Sequence, residues 1–494
     1  MKKPILLVAH LLAHHTDLWA VLGLLAVLAF RPQLTRAAVV EAWTHRYDGP
    51  ANSNDVAKAV AVDGSGNVVV TGTSYNGTNG HNDYYTAKYA AADGALFWEQ
   101  RYNGPGNAND YANALAVDSS FNVVVTGSSA TIKYLADGTA VWTNNDHGIA
   151  LVLDGSGNVV VTGGSGTIKY AAADGALLWD QRCRCGDERR AVAMDSTGNV
   201  VITGYSYNSI GGADYYTAKY AAADGALLWE QFYNGGYGDD VAQAVTVDGS
   251  GSVIVTGVST TGRSENDDPI YGYYTAKYAA GNGALLWEKL YDGPYGLAQA
   301  VAVDGSGNVM VTGSSGTIKY LADGTEVWTN NGPTSGNDPQ AVAVDGSGNV
   351  VVTGYSYNTH GNTDYYTAKY AAADGALLWE KRYNGPANGS DYASSLAVGL
   401  TGMVAVTGSS SGDYATVVYR DDVYPISIAI VPAGVRLRFT GIPGRTYNIE
   451  RASAATGPWS TLATPTASAS GPIEYLDTSP PIGSAFYRTV APSE

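Results

Sequence analysis

Short apolar runs separated by polar turns follow one another along most of the chain. The segment Asn67 to Thr71 encloses an unbroken apolar run, which is typical of a strand buried on both faces. The segments Asp83 to Tyr89 and Ala95 to Tyr102 alternate more between polar and apolar residues, which indicates strands with one exposed face. A short apolar strand, Ala59 to Val62, and a tight polar turn, Asp63 to Gly66, precede them. The pattern predicts a unit of four antiparallel strands.

This unit recurs along the chain in eight copies. Their Thr-Gly pairs begin at Thr71, Thr126, Thr162, Thr203, Thr256, Thr312, Thr353 and Thr407. Each of the first seven copies continues into a Lys-Tyr element, a polar turn and a strand that contains a tryptophan. Four antiparallel strands in each repeat of about 40–50 residues is the pattern of a β-propeller blade. An open solenoid is the competing interpretation, but it would leave both ends exposed.

The tryptophans favour the propeller. Eight of them occupy one strand position in the repeats, namely Trp43, Trp98, Trp142, Trp179, Trp229, Trp287, Trp328 and Trp379. The eighth unit has no tryptophan strand after it, but Ala42 to Pro50 precedes the first unit and matches Leu378 to Pro386. We therefore expect the amino-terminal strand to complete the last blade and close the ring. The prediction is an all-β fold with an eight-bladed propeller over residues 38–422. Seven blades is the alternative if the compact unit 112–146 is atypical.

The amino terminus has the pattern of a targeting segment. Lys2 and Lys3 precede a mostly apolar stretch, and its longest clean run, Leu18 to Phe30, is shorter than the about 20 residues that a membrane-spanning helix needs. Residues 1–37 are predicted to be a secretory signal peptide cleaved near Ala37, with an uncleaved anchor as the alternative. The predicted location is outside the cell, on its surface or in the periplasm, with no stable membrane span after signal removal.

Composition narrows the possible partners. The formal net charge is −17, and charged residues make up only 15% of the chain. An acidic surface repels phosphates, so no nucleic-acid partner is expected. With 45% hydrophobic residues the chain has enough apolar area for a core, and its two cysteines exclude a disulfide framework.

Residues 423–494 differ from the repeats. Six short strands separated by turns that contain proline or glycine predict a small β-sandwich. These strands are expected at Ser427 to Ile430, Val435 to Phe439, Thr446 to Arg451, Trp459 to Leu462, Ile473 to Tyr475 and Phe486 to Thr489.

Two motifs resemble known families. Gly348 to Ser356, read Gly-Asn-Val-Val-Val-Thr-Gly-Tyr-Ser, resembles the SBBP β-propeller repeat of exported bacterial proteins. Gly444 to Ser453, together with Trp459 and Phe486 to Arg488, resembles a carboxy-terminal fibronectin-III-like module. The first resemblance implies a propeller over about residues 39–422, and the second implies attachment or ligand binding by the tail. Ala173 to Trp179 is more weakly similar to the docking element of quinoprotein-type propellers.

The two rims of the predicted ring differ. The first and third turns of each unit lie on one rim and carry nearly invariant aspartates, which we expect to bond their own turn backbones rather than to hold calcium. The second turns and the inter-blade connections lie on the other rim, vary in length and are rich in Tyr, Asn, Asp and Gly, a mixture suited to binding a sugar or a protein surface. The candidate binding residues are Tyr75, His81, Tyr111, Tyr207, Tyr237, Asp239, Asp267, Tyr271, Tyr295, Tyr357, His360 and Tyr392.

No residue set stands out as catalytic. Cys183 and Cys185 form a possible local disulfide, and they lack the histidine and the four-ligand spacing of a metal site. No nucleophile elbow is present, and no carboxylate pair is singled out. We expect no metal and no cofactor.

The sequence thus favours an exported, monomeric, non-enzymatic scaffold that binds a glycan or a protein through the variable rim. The alternative is a propeller-type enzyme, either a polysaccharide hydrolase or lyase or, less favoured, a quinone-dependent dehydrogenase.

Overall fold

The fold consists of β-strands. The computed structural model describes residues 7–10, 39–78, 80–164, 166–182, 187–207, 212–264, 268–292, 296–331, 337–399, 402–421, 427–441, 445–454, 457–468, 472–481 and 484–490. Over these residues no α-helix occurs, so none has the length and apolarity needed to cross a membrane. The chain divides into two compact units, residues 44–418 and residues 1–43 together with 419–494.

The strands follow the repeat. Before the first repeat come β1 (Leu7–His10) and β2 (Val39–Tyr47). Units 1 and 2 contain β3 (Asp55–Val62), β4 (Val68–Asn76), β5 (His81–Tyr89), β6 (Leu96–Tyr102), β7 (Ala112–Val117), β8 (Val123–Gly127), β9 (Thr131–Tyr134) and β10 (Ala140–Asn144). Units 3 and 4 contain β11 (Ala150–Leu153), β12 (Val159–Gly163), β13 (Gly166–Tyr170), β14 (Leu177–Arg182), β15 (Glu188–Met194), β16 (Val200–Tyr207), β17 (Ala213–Tyr220) and β18 (Leu227–Tyr233).

The later units have the same order. Units 5 and 6 contain β19 (Val241–Val247), β20 (Val253–Arg263), β21 (Pro269–Tyr278), β22 (Leu285–Tyr291), β23 (Ala298–Val303), β24 (Val309–Gly313), β25 (Gly316–Tyr320) and β26 (Glu326–Asn330). Units 7 and 8 contain β27 (Asn337–Val344), β28 (Val350–Tyr357), β29 (Thr363–Tyr370), β30 (Leu377–Tyr383), β31 (Asp391–Val398), β32 (Val404–Ser410) and β33 (Asp413–Asp421). The tail contains β34 (Ser427–Val431), β35 (Gly434–Thr440), β36 (Asn448–Ala452), β37 (Ser460–Ala463), β38 (Pro472–Asp477) and β39 (Ser484–Val490).

Each repeat unit forms a four-stranded antiparallel sheet that serves as a propeller blade, and each blade takes the number of its repeat unit. Blades 1 to 7 take four consecutive strands, and the eighth sheet has the order β2-β33-β32-β31. The first strands of consecutive blades pack against each other from β3 to β31, and β3 also packs against β31. The second strands are buried on both faces, as in β4 and β8, which explains their unbroken valine runs.

The strands extend beyond the apolar runs that predicted them. In blade 5, β20 and β21 pair as far as Arg263 and Pro269, across a segment that the sequence predicts to be a turn. In blade 1, β3 begins at Asp55 rather than Ala59. Backbone pairing in a two-stranded ribbon needs no buried face, so the apolar pattern marks only the part of each strand inside the blade stack.

The tail unit has two sheets, with the orders β1-β39-β36-β37 and β34-β35-β38. Strands of both sheets contribute to one buried cluster, which includes Leu437, Ile449, Ile473 and Tyr487. Of the predicted signal peptide, only Leu7–His10 lies within the described residues, where it pairs with β39.

Candidate binding rim

One rim of the blades carries the first and third turns, and we call it the turn rim. In the first turns an aspartate accepts hydrogen bonds from two backbone N–H groups of its own turn, as Asp63 does from Ser65 and Asn67 at 2.9 Å. In the third turns an aspartate accepts one such bond, as Asp93 does from Ala95 at 3.0 Å. The same bonds from the turn backbone recur at the other turn aspartates, as the sequence predicts, namely at Asp118, Asp137, Asp154, Asp174, Asp195, Asp224, Asp248, Asp304, Asp323, Asp345 and Asp374.

In blades 2 to 6 a buried lysine links the turn rim to the next blade. Lys219 of blade 4 pairs with Asp195 of the first turn at 2.8 Å and also donates to the carbonyl of Ala280 in blade 5 at 2.9 Å. Trp229 Nε1 donates to the same carbonyl at 3.3 Å. Gly283 lies over the Trp229 ring at a backbone φ of +68°, and a Cβ there would come within 2.7 Å of it. The regular lysines and tryptophans thus hold neighbouring blades together.

The lysine also sets the electrostatics of the turn. Burial raises the pKa of Asp195, but hydrogen bonds from Lys219, Thr197 and Asn199 outweigh burial and leave the pKa below its usual range. The same balance lowers the pKa of the first-turn aspartate in the other repeat blades, namely Asp63, Asp118, Asp154, Asp248, Asp304 and Asp345. Because these carboxylates are already satisfied, the turn rim has the character of a scaffold.

The opposite rim carries the hairpins between second and third strands and the connections between blades, and we call it the hairpin rim. Buried aspartates hold four of these connections against the blades through hydrogen bonds. Asp55 accepts from Gly49 N and Tyr75 N, while Asp240 accepts from Gly235 N and Ser259 Oγ. Asp110 and Asp391 accept equivalent bonds from glycine N–H groups. Burial raises the pKa of Asp240, and the bonds from Ser259, Gly235 and Thr260 offset only part of this rise.

Exposed tyrosines follow the hairpin rim. Tyr207, Tyr237 and Tyr357 are 54%, 57% and 60% exposed, whereas the third-strand tyrosines inside the blade stack, such as Tyr84, Tyr215 and Tyr365, are almost fully buried. Tyr111, Tyr271 and Tyr392 are also exposed, and Tyr392 packs edge-on against Tyr355 of the preceding blade. The hairpin rim therefore presents aromatic area on a backbone that buried carboxylates hold in place.

A protein-family profile described as outer membrane protein assembly factor BamB matches residues 41–262 and 274–421. The chain belongs to this family. Its matched region covers most of the repeats on both sides of the blade 5 hairpin. No curated protein matches the chain.

Solved propellers are similar to this BamB-like chain in fold. Sqt1 from Chaetomium thermophilum has a TM-score of 0.57 at 10% identity over 78% of this chain and 99% of that chain. The C-terminal WD40 domain of Sif2 has a TM-score of 0.53 at 11% identity over 78% and 98%. BamB from Moraxella catarrhalis has a TM-score of 0.50 at 15% identity over 77% and 99%. At these identities the similarity establishes the β-propeller fold alone.

The predicted binding residues fall on several blades of this BamB-like propeller, and many lie in strands rather than loops. Tyr75, Tyr207 and Tyr357 lie at or near the ends of second strands, His81 and Tyr271 in third strands, and Tyr392 in a first strand. Tyr111, Tyr237, Asp239 and His360 lie in connections and hairpins. Asp267, Tyr295, Cys183 and Cys185 lie outside the described residues.

Their local contacts differ. Tyr75 is half-buried, and its N–H donates to Asp55 Oδ1. Asp239 is exposed and accepts a hydrogen bond from Ala213 N at 2.9 Å, so it joins the connection before β19 to the start of β17 in blade 4. His360 is exposed, and its N–H donates to Asn358 Oδ1 within its own turn.

A set of polar side chains next to the hairpin rim was missed at the sequence level. The first strands contain a β-bulge, for example between Ala57 and Ala59. The bulged residues are Lys58, Asn113, Arg190, Gln243, Gln299, Gln340 and Ser394. Some reach the next blade, since Arg190 Nη1 donates to Gln243 Oε1 at 2.8 Å. In four of these strands the sequence signal was a polar residue between two alanines, at Lys58, Asn113, Gln243 and Gln299. The extra residue of a bulge is not visible without the pairing register.

One group of carboxylates is close enough to be tested as a metal site. Ligand oxygens of Asp48, Asp55 and Asp413 lie within 4.8 Å of one another. Asp413 is already paired with Arg46 at 2.7 Å, and Asp55 already accepts two backbone bonds. Calcium takes six to eight oxygen ligands, and three carboxylates that already form these bonds do not supply them.

Proposed function

We propose that this BamB-like propeller is a binding scaffold that contacts another protein through its hairpin rim. The observation that supports this most is the contrast between the rims. On the turn rim the aspartates are hydrogen-bonded within their own turns, whereas on the hairpin rim Tyr207, Tyr237 and Tyr357 are more than half exposed. Large aromatic side chains with a polar tip, held on a fixed backbone, bind with little loss of conformational entropy.

The proposal includes a closed ring of eight blades. Support comes from Arg46 on β2, which donates to Ser410 Oγ at 2.6 Å and pairs with Asp413, both in the eighth sheet. Arg46 also donates to Tyr383 of blade 7 at 3.1 Å, and Tyr47 stacks on Tyr85 of blade 1 at 3.8 Å. These contacts tie β2 to the blades on both sides of it. A closed ring leaves no blade face uncovered.

The location and the tail belong to the same proposal. The signal-like residues 1–37 and the family description, which names an outer membrane assembly factor, favour the bacterial envelope. Residues 423–494 would form a fibronectin-III-like β-sandwich that adds a second contact or a tether. The propeller would act as a monomer, without a cofactor.

Site-specific photo-crosslinking in the native cells tests the rim. A photoreactive phenylalanine is placed at Tyr207, Tyr237 or Tyr357 and, as matched controls, at the exposed turn-rim positions Asp174 and Asp224. We expect one discrete protein adduct from the hairpin-rim positions and none from the turn rim. Equal crosslinking from both rims, or from neither, contradicts the proposal.

A polysaccharide panel tests the glycan and enzyme alternatives. The purified chain is incubated with each polymer while its melting temperature and the release of reducing ends are followed. A melting shift without product would move the proposal to a glycan-binding rim. Release of product would exclude the non-enzymatic proposal.

A further inference from the structure

Most blades insert a tyrosine into the next blade. Tyr84 of β5 is buried, donates to Ala130 O at 3.1 Å and accepts from Ala130 N in blade 2. Tyr273 of β21 binds Ser315 N and Gly316 O of blade 6 in the same way. The equivalent residues are Tyr215, Tyr365 and Tyr414.

The short hairpins of blades 2, 3 and 6 remove this tyrosine. In blade 3 the third strand begins at Gly166 and reads Gly-Thr-Ile-Lys-Tyr, so no residue extends far enough to reach blade 4. The interface between blades 3 and 4 is therefore built differently from the interface between blades 1 and 2.

Arg189 of β15 occupies this interface. Its register partner is Gly204, and the residue at the equivalent first-strand position is alanine in blades 1, 2, 5, 6 and 8 and proline in blade 7. Arg189 is only 4% exposed. A full guanidinium thus takes the place of a methyl group between two blades.

The charge of Arg189 is not balanced by an ion pair. Nη1 donates to Gln181 O at 3.0 Å, Nη2 donates to Tyr220 Oη at 3.3 Å, and the ring of Tyr216 lies 5.9 Å away. Nε has no hydrogen-bond partner. No carboxylate among the described residues forms an ion pair with Arg189. Glu230, in the same cleft, accepts from Tyr216 Oη at 3.2 Å. Buried charges in proteins are normally paired or hydrogen-bonded throughout.

Arg189 lines a cleft of about 170 Å³ between the two blades. This volume is large enough to hold several water molecules. Ser206 and Asp187 contribute polar groups, and Leu227 and Phe232 contribute apolar walls. Leu227 and Phe232 are about half exposed, at 49% and 54%, so the cleft opens to solvent beside an apolar surface.

We infer that the cleft between blades 3 and 4 binds the carboxylate of a peptide, with Arg189 as the charge partner of that carboxylate. An apolar side chain of the peptide, next to the carboxylate, would pack on Leu227 and Phe232. A guanidinium with unbonded N–H groups matches the planar, singly charged carboxylate. Asp187 and Glu230 line the same cleft and therefore disfavour a doubly charged phosphate more than a singly charged carboxylate. This site is distinct from the hairpin-rim tyrosines and does not depend on them.

Calorimetric titration of the purified full chain tests the site with acetyl-Ala-Ala-Phe carrying a free carboxylate. The C-terminal amide of this peptide and acetyl-Ala-Glu-Phe-amide show whether the site takes a terminal or a side-chain carboxylate. Glucuronate and inorganic phosphate test whether it takes a sugar acid or a phosphate instead. We expect saturable binding of at least one carboxylate peptide, and binding at least about tenfold weaker to R189A. Alanine at this position is compatible with the blade, because it is the residue at the equivalent position of other blades.

R190A is the matched control. Arg190 is the next residue, bonds to Gln243 and does not line the cleft, so its loss should leave peptide affinity unchanged. If R189A does not fold, R189K is measured against the same criterion, because lysine lacks the planar fork. The inference is wrong if no carboxylate peptide binds, if R189A binds as tightly as the unaltered chain, or if only phosphate or glucuronate binds.

Discussion

The buried pair of Lys219 and Asp195 provides a quantitative test of the inter-blade contact. The two side chains are 3% and 6% exposed and 2.8 Å apart, and Lys219 also donates to Ala280 O in the next blade. Breaking a buried pair by removing one partner costs about 3–5 kcal/mol. K219M should lower the free energy of unfolding by about 3 kcal/mol, the lower end of this range, because Asp195 keeps its bonds from Thr197 and Asn199. D195N should cost more, because it leaves a buried ammonium with only the carbonyl of Ala280.

The assay is the urea unfolding midpoint of K219M, D195N and the double variant at neutral pH. The double variant should be more stable than the sum of the single effects predicts, with a coupling energy of about 1–3 kcal/mol. D224N is the control, because Asp224 is exposed and accepts a single bond from Ala226 N. The reasoning fails if D195N shifts the midpoint no more than D224N, or if the two single effects simply add.

Three further predictions concern other contacts of the blades. Y84F should lower the free energy of unfolding by about 1–3 kcal/mol, because the backbone N–H groups of Ser129 and Ala130 lose the oxygen to which they donate, and urea unfolding measures this. G138A should lower the melting temperature more than G106A. Both glycines have positive φ, but a Cβ at Gly138 meets the Trp98 ring at 2.8 Å, whereas one at Gly106 meets no atom within 4 Å. Equal losses would contradict the packing argument. Stability should fall as the pH drops below about 4, because the first-turn aspartates have lowered pKa values in the fold. Their contribution is complete above the unfolded pKa and is lost as pH falls through the folded values. Acid titration followed by circular dichroism measures it, and a flat profile from pH 5 to 2 would contradict it.

Repeat counting predicted much of the blade architecture because each blade carries its own signals. The apolar run of β4, the polar turn after β3 and the tryptophan of β6 are local in sequence, so their spacing alone indicates four antiparallel strands. The roles of the turn aspartates were predictable for the same reason, since their hydrogen-bond partners lie two to four residues away.

The hairpin rim was predictable only in part. Variation in length and composition pointed to it, and the exposed positions of Tyr207, Tyr237 and Tyr357 agree with a surface role. The strand positions of Tyr271 and Tyr392 were not predicted, because ladder pairing continues past the apolar residues that mark a strand in sequence. The buried state of Asp240 was also not visible, since its partners include Ser259 and Thr260 on a different strand.

The sequence by itself determined the repeat, the strand order within a blade and the local bonding of the turns, because those depend on residues close together in the chain. Only the tertiary structure decided what lies between blades. Lys219 pairs with an aspartate of its own blade and a carbonyl of the next, and Arg189 is buried at a blade interface that lacks the inter-blade tyrosine. Such contacts depend on hairpin length and blade register together. A charged residue that interrupts a repeat therefore has no interpretable role until its neighbours from the adjacent blade are known.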